Sequence, residues 1–187
     1  AIIKILNNYK DWKGNVIGDE PRDKLHFEHK NLINYGFLPH EKVINIYKKT
    51  SIAVVCSRWD EPLGRTSLEA SSRGCATIIS NRGGLPETVT HGIILRDLNV
   101  DSVYQAMNDL IENKRKRLEL QKLSIKNFFH TNKVSSSNID DYRDKLLTSS
   151  NAIKSPSLKI PKTLRILHVT NFNERHDGRL FFNTGRR

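Results

Sequence analysis

Two short apolar runs, separated by a segment that opens on Pro and Gly and closes on Gly, constrain this chain more than any other feature. Residues 52–56 (Ile-Ala-Val-Val-Cys) and residues 76–79 (Ala-Thr-Ile-Ile) have the length and β-branched content of strands buried on both faces. Pro62 and Gly64 mark where a helix can begin between them, Leu68 and Ala70 supply its apolar positions, and Gly74 is placed just beyond its end. The pattern is a strand-helix-strand unit. A right-handed crossover of such a unit brings the helix N-terminus, with its free amides, to the carboxyl edge of a parallel sheet, where open α/β folds bind ligands.

Glu61 precedes this helix and Glu69 lies within it, with Gly64 and Arg65 between them at the amide-rich end, which attracts phosphate. With a helix start near Gly64, Glu69 sits roughly 7 Å along the axis. That is a plausible distance from a bound diphosphate to the ribose of the same nucleotide, and a carboxylate there can accept from two neighbouring hydroxyls. The same spacing disfavours a glycosidase acid-base pair, whose carboxyls stand about 5 to 9.5 Å apart, since eight helical residues span about 12 Å. It leaves that pair open only because Glu61 precedes the helix and its side chain can fold back.

These residues carry a resemblance. Glu61-Pro62-Leu63-Gly64 through Glu69, then Gly74, then Gly83-Gly84-Leu85-Pro86-Glu87 resembles the signature of the retaining glycosyltransferases of sequence family 4, which have the two-domain GT-B fold. The resemblance covers residues 1 to about 148 and corresponds to most of that family's C-terminal, donor-binding domain. It implies a Rossmann-like α/β fold, a parallel sheet with helices on both faces, and transfer of a sugar from a nucleotide diphosphate to an acceptor hydroxyl with retention. By the same resemblance Glu61 is the catalytic position touching the donor sugar, and Glu69 holds the ribose diol. Gly64 and Arg65 meet the diphosphate, Leu63 belongs to the donor-binding residues, Phe37 and Leu38 lie against the base, and Gly83 and Gly84 approach the donor. Phe37 and Leu38 also fit ordinary core or lid positions, and the two glycines also fit a tight turn. The family uses no cofactor, and no acidic metal-binding cluster such as Asp-x-Asp occurs here. The Arg and Lys that grip the diphosphate belong, in the family, to a loop that would precede Ala1, and the acceptor-holding N-terminal domain would precede it too. The acceptor stays unnamed, and this chain alone is expected to be inactive.

The formal charge of +11 calls for a partner to be weighed. Its densest part, residues 114–117 (Lys-Arg-Lys-Arg) continuing through Lys122 and Lys126, falls on an expected helix. A solvated helical face is the first expectation and a peripheral membrane contact the second. Nucleic acid is not expected, because interleaved aromatics and reading motifs are lacking. No apolar run approaches a membrane span and no signal peptide is visible, so a cytoplasmic location is the default. Cys56 and Cys75 form no Cys-x-x-Cys pair and are expected as small buried thiols. His26 and His29, three apart, lack a third ligand and are expected as surface histidines.

In chain order, residues 1–9 have helical spacing without a cap, so the chain is expected to open inside a helix, and with Met107 its only methionine it is expected to be truncated at the start. A strand is expected at 14–19, a short polar helix at 21–28, a strand at 31–36 and a helix opened by Pro39 through Tyr47. After the central unit come a short helix at 85–90, a strand at 92–95, and helices at 100–111, 115–129 and about 135–147. The stretch joining the helix and strand at 85–95 is shorter and poorer in glycine than in the family. Residues 149–162, Ser-rich and Pro-punctuated, are expected to be a linker. Residues 163–187, with a new strand at 164–170, resemble the start of a second GT-B glycosyltransferase N-terminal domain, without the Gly-Gly often found there. Two other classes stay open: a non-catalytic sugar-nucleotide binding module and a GT-B-shaped nucleotide-sugar epimerase.

Overall fold

The computed structural model describes residues 1–18 and 28–150. The elements run α1 (Ile2–Asn8), β1 (Gly14–Val16), β2 (Leu32–Asn34), α2 (His40–Tyr47), β3 (Ile52–Val55), α3 (Arg65–Ser72) and β4 (Ala76–Ser80). A 3₁₀ turn at Leu85–Thr88 follows, then β5 (Gly92–Leu95), α4 (Val100–Glu112), α5 (Lys114–Lys126) and α6 (Asn132–Ser150). Of the linker expected at 149–162, residues 149 and 150 end α6 and the rest lies outside the described residues, as do residues 21–27 of the helix expected at 21–28, with His26, and the strand at 164–170. The chain divides into two compact units, Ala1–Ile139 and Asp140–Arg187, and the site lies in the first.

Every strand pairing is parallel, as the alternation of strands and helices predicts. The ladder falls into two pieces: β1 pairs with β2, and β3, β4 and β5 form a sheet with β4 in the middle. Central position is why all five residues of β4 are buried. The expectation that residues 52–56 are buried on both faces needs correcting. As a flanking strand of this sheet β3 leaves Val54 40% exposed.

Helices cover both faces. On one, Ile5 of α1 and Met107 and Leu110 of α4 close over Ala76, Ile78 and Leu95. On the other, Tyr47 of α2 and Ala70 of α3 close over Ala53 and Cys75. The buried stripe of α3 is Ser67, Ala70 and Ser71, spaced i, i+3, i+4. Such small side chains let the helix approach closely, and their hydroxyls are satisfied inside, Ser67 on the Gly64 carbonyl at 2.7 Å and Ser71 against the Thr77 hydroxyl at 3.2 Å. Gly74 ends α3 as expected: its amide donates to the Ser71 carbonyl at 3.0 Å and that of Cys75 to the Ala70 carbonyl at 3.1 Å, the paired bonds of a Schellman stop. Pro39 caps α2 from outside, with an extended ψ of 143°, instead of occupying its first turn.

The basic helix is α5. Lys114, Arg115, Lys122 and Lys126 are solvated as expected, but Arg117 is not. Its guanidinium donates to the Leu110 and Ile111 carbonyls at 2.6 and 3.0 Å, closing the end of α4, and stacks 5.0 Å from the Trp12 ring. One charge of the run is therefore a packing element.

Both cysteines are free. Burial pushes the Cys56 thiol up to about 11 and the Cys75 thiol to about 12. At pH 8 the thiolate fraction is small, so Ellman's reagent is expected to label both slowly in the native protein and rapidly in denaturant. Fast stoichiometric labelling of either without denaturant would contradict their placement.

Candidate functional site

The site forms where β3 and β4 end. Val55 leads into the loop that carries residues 56–64, and Ser80 into the loop with Gly83 and Gly84, so both loops lie at the carboxyl edge of the sheet. Ser80 Oγ donates to the Ser57 carbonyl at 2.8 Å and ties the two loops at their base. Further out the Gly84 amide donates to the Glu61 carbonyl at 2.7 Å.

Gly64 is the turning point. Its backbone is left-handed at φ +85°, and a Cβ there would lie 2.4 Å from Leu85 Cδ2. Only glycine satisfies both the conformation and the approach. No side chain caps the first turn of α3 that follows, so this helix end keeps the positive end of its dipole open to a ligand.

A cleft of about 390 Å³ opens here, lined by Val55, Glu61, Pro62, Leu63, Gly64, Arg65, Thr66 and Leu85. A second hollow of similar volume, lined by Val55, Cys56, Ser57, Arg58, Trp59 and Glu61, adjoins it. Glu61 borders both. Trp59, itself 70% exposed, donates from Nε1 to Glu61 Oε1 at 2.8 Å and gives that carboxylate a fixed direction.

Glu69 sits one turn further along α3. Its Oε1 accepts from His40 Nε2 at 3.0 Å and from Arg65 Nη2 at 3.4 Å, and its side chain is 22% exposed. Arg65 thus joins the cleft lining to Glu69. Tyr47 lies close enough that its phenol, pushed up to about 12 first by burial, is raised further by the Glu69 charge.

Of the residues expected from the sequence, the cleft brings together Glu61, Leu63, Gly64 and Arg65, and Arg65 connects Glu69 to them. Phe37 and Leu38 do not line it. Phe37 stands 80% exposed in the loop between β2 and α2, and Leu38 is half-buried beside it. Gly83 and Gly84 do make a close backbone approach, to the chain itself: a Cβ on Gly83 would meet the Glu61 carbonyl oxygen and one on Gly84 that of Pro62. Trp59 and His40 are additions. Trp59 had a local signal, lying two residues before Glu61 in the same loop, whereas His40 reaches Glu69 across 29 positions and left none. Among the described residues no three His, Cys, Asp or Glu side chains gather as metal ligands, and no helix is long and apolar enough to cross a membrane.

Comparison with known proteins gives the family and the fold. The chain is 35% identical over 123 residues to spore coat protein SA of Bacillus subtilis (strain 168), covering 64% of this chain and 30% of that protein. It is 31% identical over 103 residues to the putative glycosyltransferase YtcC of the same organism, covering 48% of this chain and 25% of that one. The chain therefore spans under a third of the length of these relatives. Among solved structures, sucrose-phosphate synthase from Thermosynechococcus elongatus superposes with a TM-score of 0.60 at 18% identity, over 79% of this chain and 42% of that one. Anabaena HepE, solved in complex with UDP and glucose, does so with a TM-score of 0.58 at 18% identity, over 79% and 43%. Both share the parallel α/β architecture of GT-B glycosyltransferases. The model of the family Glycosyl transferases group 1 matches residues 1–127, and the chain belongs to that family.

Proposed function

We propose that this chain is the nucleotide-sugar-binding part of a retaining glycosyltransferase of sequence family 4, and that residues 1–148 form its donor-binding domain. The observation that carries this reading is the pair of carboxylates on either side of the uncapped start of α3, Glu61 in the loop before it and Glu69 one turn into it. Glu61 borders the 390 Å³ cleft, and Glu69 lies beyond it, joined through Arg65.

In this reading the donor's diphosphate lies at Gly64 and Arg65, where the open helix end and a guanidinium stabilise the charge that grows on it as the bond to the sugar's anomeric carbon breaks. Glu61, held by Trp59, orients the sugar, and Glu69 receives the ribose diol. Leu63 walls the cleft, and Phe37 and Leu38 face the base. Gly83 and Gly84 act on the donor by holding the Glu61–Pro62 backbone in place. The new bond forms from the acceptor oxygen to the anomeric carbon, on the face the diphosphate leaves, and the acceptor hydroxyl's proton passes to the departing diphosphate oxygen. The structures of HepE in complex with UDP and glucose and with UDP-glucose support a nucleotide-sugar donor.

The test is turnover of a panel of nucleotide sugars by the full-length protein, with the anomer of the product read by NMR. Retained configuration is expected, and Glu61→Ala is expected to lower turnover about a hundredfold. An inverted product, or full activity in Glu61→Ala, would overturn the assignment.

A further inference from the structure

We propose that His40 is a positioning residue for nucleotide binding, which sets the direction of the Glu69 carboxylate and ties it to the loop leading into α2. The inference rests on the reading that Glu69 receives the ribose hydroxyls. Glu69 has two partners of unlike standing. Arg65 lies four residues before it on the same helix, at 3.4 Å and 79% exposed, a surface pair of small value. His40 comes from another element and approaches to 3.0 Å.

Both contacts fall on Oε1, and neither engages Oε2. A glutamate side chain has three rotatable bonds, and fixing them before a ligand arrives removes part of the entropy that binding would otherwise cost. His40 is suited to this because it is the first residue of α2, two positions after Leu38. The bond from its imidazole therefore also restrains the end of the loop that holds Phe37 and Leu38. The buried Tyr47 at the other end of α2 anchors the helix against the sheet, so the carboxylate is held from a fixed support.

The experiment is calorimetric titration of the full-length protein with UDP, ADP and GDP, then with the 2′,3′-dideoxy counterpart of the one that binds most tightly. Wild type, His40→Ala, His40→Gln and Glu69→Gln are compared. His40→Ala is expected to weaken the ribonucleotide about fivefold to tenfold. His40→Gln, which keeps an N–H donor, should restore affinity to within about twofold. The dideoxy compound should bind wild type and His40→Ala alike, which a merely structural role would not produce. Because the His40 side chain is 61% exposed, both variants should melt within about 2 °C of wild type. Unchanged ribonucleotide binding in His40→Ala beside a loss in Glu69→Gln would overturn the role of His40 alone. So would an equal loss with the dideoxy compound, or no recovery in His40→Gln. Unchanged binding in Glu69→Gln, or no binding of any of the three nucleotides, would overturn the ribose assignment and this inference with it.

Discussion

Gly83→Ala is expected to destabilise the domain by about 2 to 4 kcal/mol. Gly83 is left-handed at φ +53°, which alone costs an L-residue about 1 to 2 kcal/mol. The added methyl would also stand 2.3 Å from the Glu61 carbonyl oxygen, 2.7 Å from the Glu61 nitrogen and 2.8 Å from the Asp60 carbonyl carbon. All three are backbone atoms, so no side chain can rotate aside, and the loop bearing Glu61 has to move. Gly36 is the matched control. Its φ is +58°, and nothing lies within 4 Å of a Cβ built there, so Gly36→Ala carries the conformational cost without the collision, about 1 kcal/mol. Denaturant unfolding of the two variants separates the terms. Equal losses would show that the close approach of the two loops is absent in solution.

That comparison bears on how much of the site could be read from residues alone. Gly83 and Gly84 are legible as places where something comes close, because glycine pairs beside a buried strand need a reason. What comes close is not legible: it is a backbone 22 positions earlier, and only the fold brings it there. The unit from β3 to β4 is the most readable part, since Gly64, Gly74 and two apolar runs punctuate it locally. The exposure of Val54 is not readable, because an apolar run looks the same in a flanking strand as in a central one. Arg117 makes the same point for charge. In sequence it is one of four consecutive cations, and only the position of the end of α4 and of Trp12 turns it inward. Of the two carboxylates, Glu61 has its partner Trp59 next to it, while Glu69 has one partner, Arg65, a turn before it and the other, His40, on another helix.

Glu69→Ala and Glu69→Gln are both expected to raise the dissociation constant for a nucleoside diphosphate at least tenfold while leaving the fold almost untouched. The small folding effect follows from the partners. His40 and Arg65 are 61% and 79% exposed, so the contacts they make with Glu69 are screened by water and contribute under about 1 kcal/mol. The large binding effect follows from what a ribose would find. A carboxylate already oriented by two donors can accept from two vicinal hydroxyls, and hydrogen bonds to a charged acceptor contribute about 1.5 to 3 kcal/mol each. Tenfold in affinity corresponds to about 1.4 kcal/mol, so loss of even one such bond meets the threshold. Glutamine keeps the shape and one acceptor oxygen but removes the charge, and it replaces the other oxygen with a donor that cannot receive a hydroxyl. It is therefore expected to behave like alanine in binding. Glu61→Ala provides the contrast: it should leave the free nucleoside diphosphate bound as in wild type and weaken the intact nucleotide sugar, because Glu61, in the loop before α3, is assigned to the sugar and not to the ribose or the diphosphate. Equal affinity of wild type and Glu69→Ala for the nucleoside diphosphate would show that the ribose is held elsewhere, and would leave the contacts with His40 and Arg65 as a surface feature of α3.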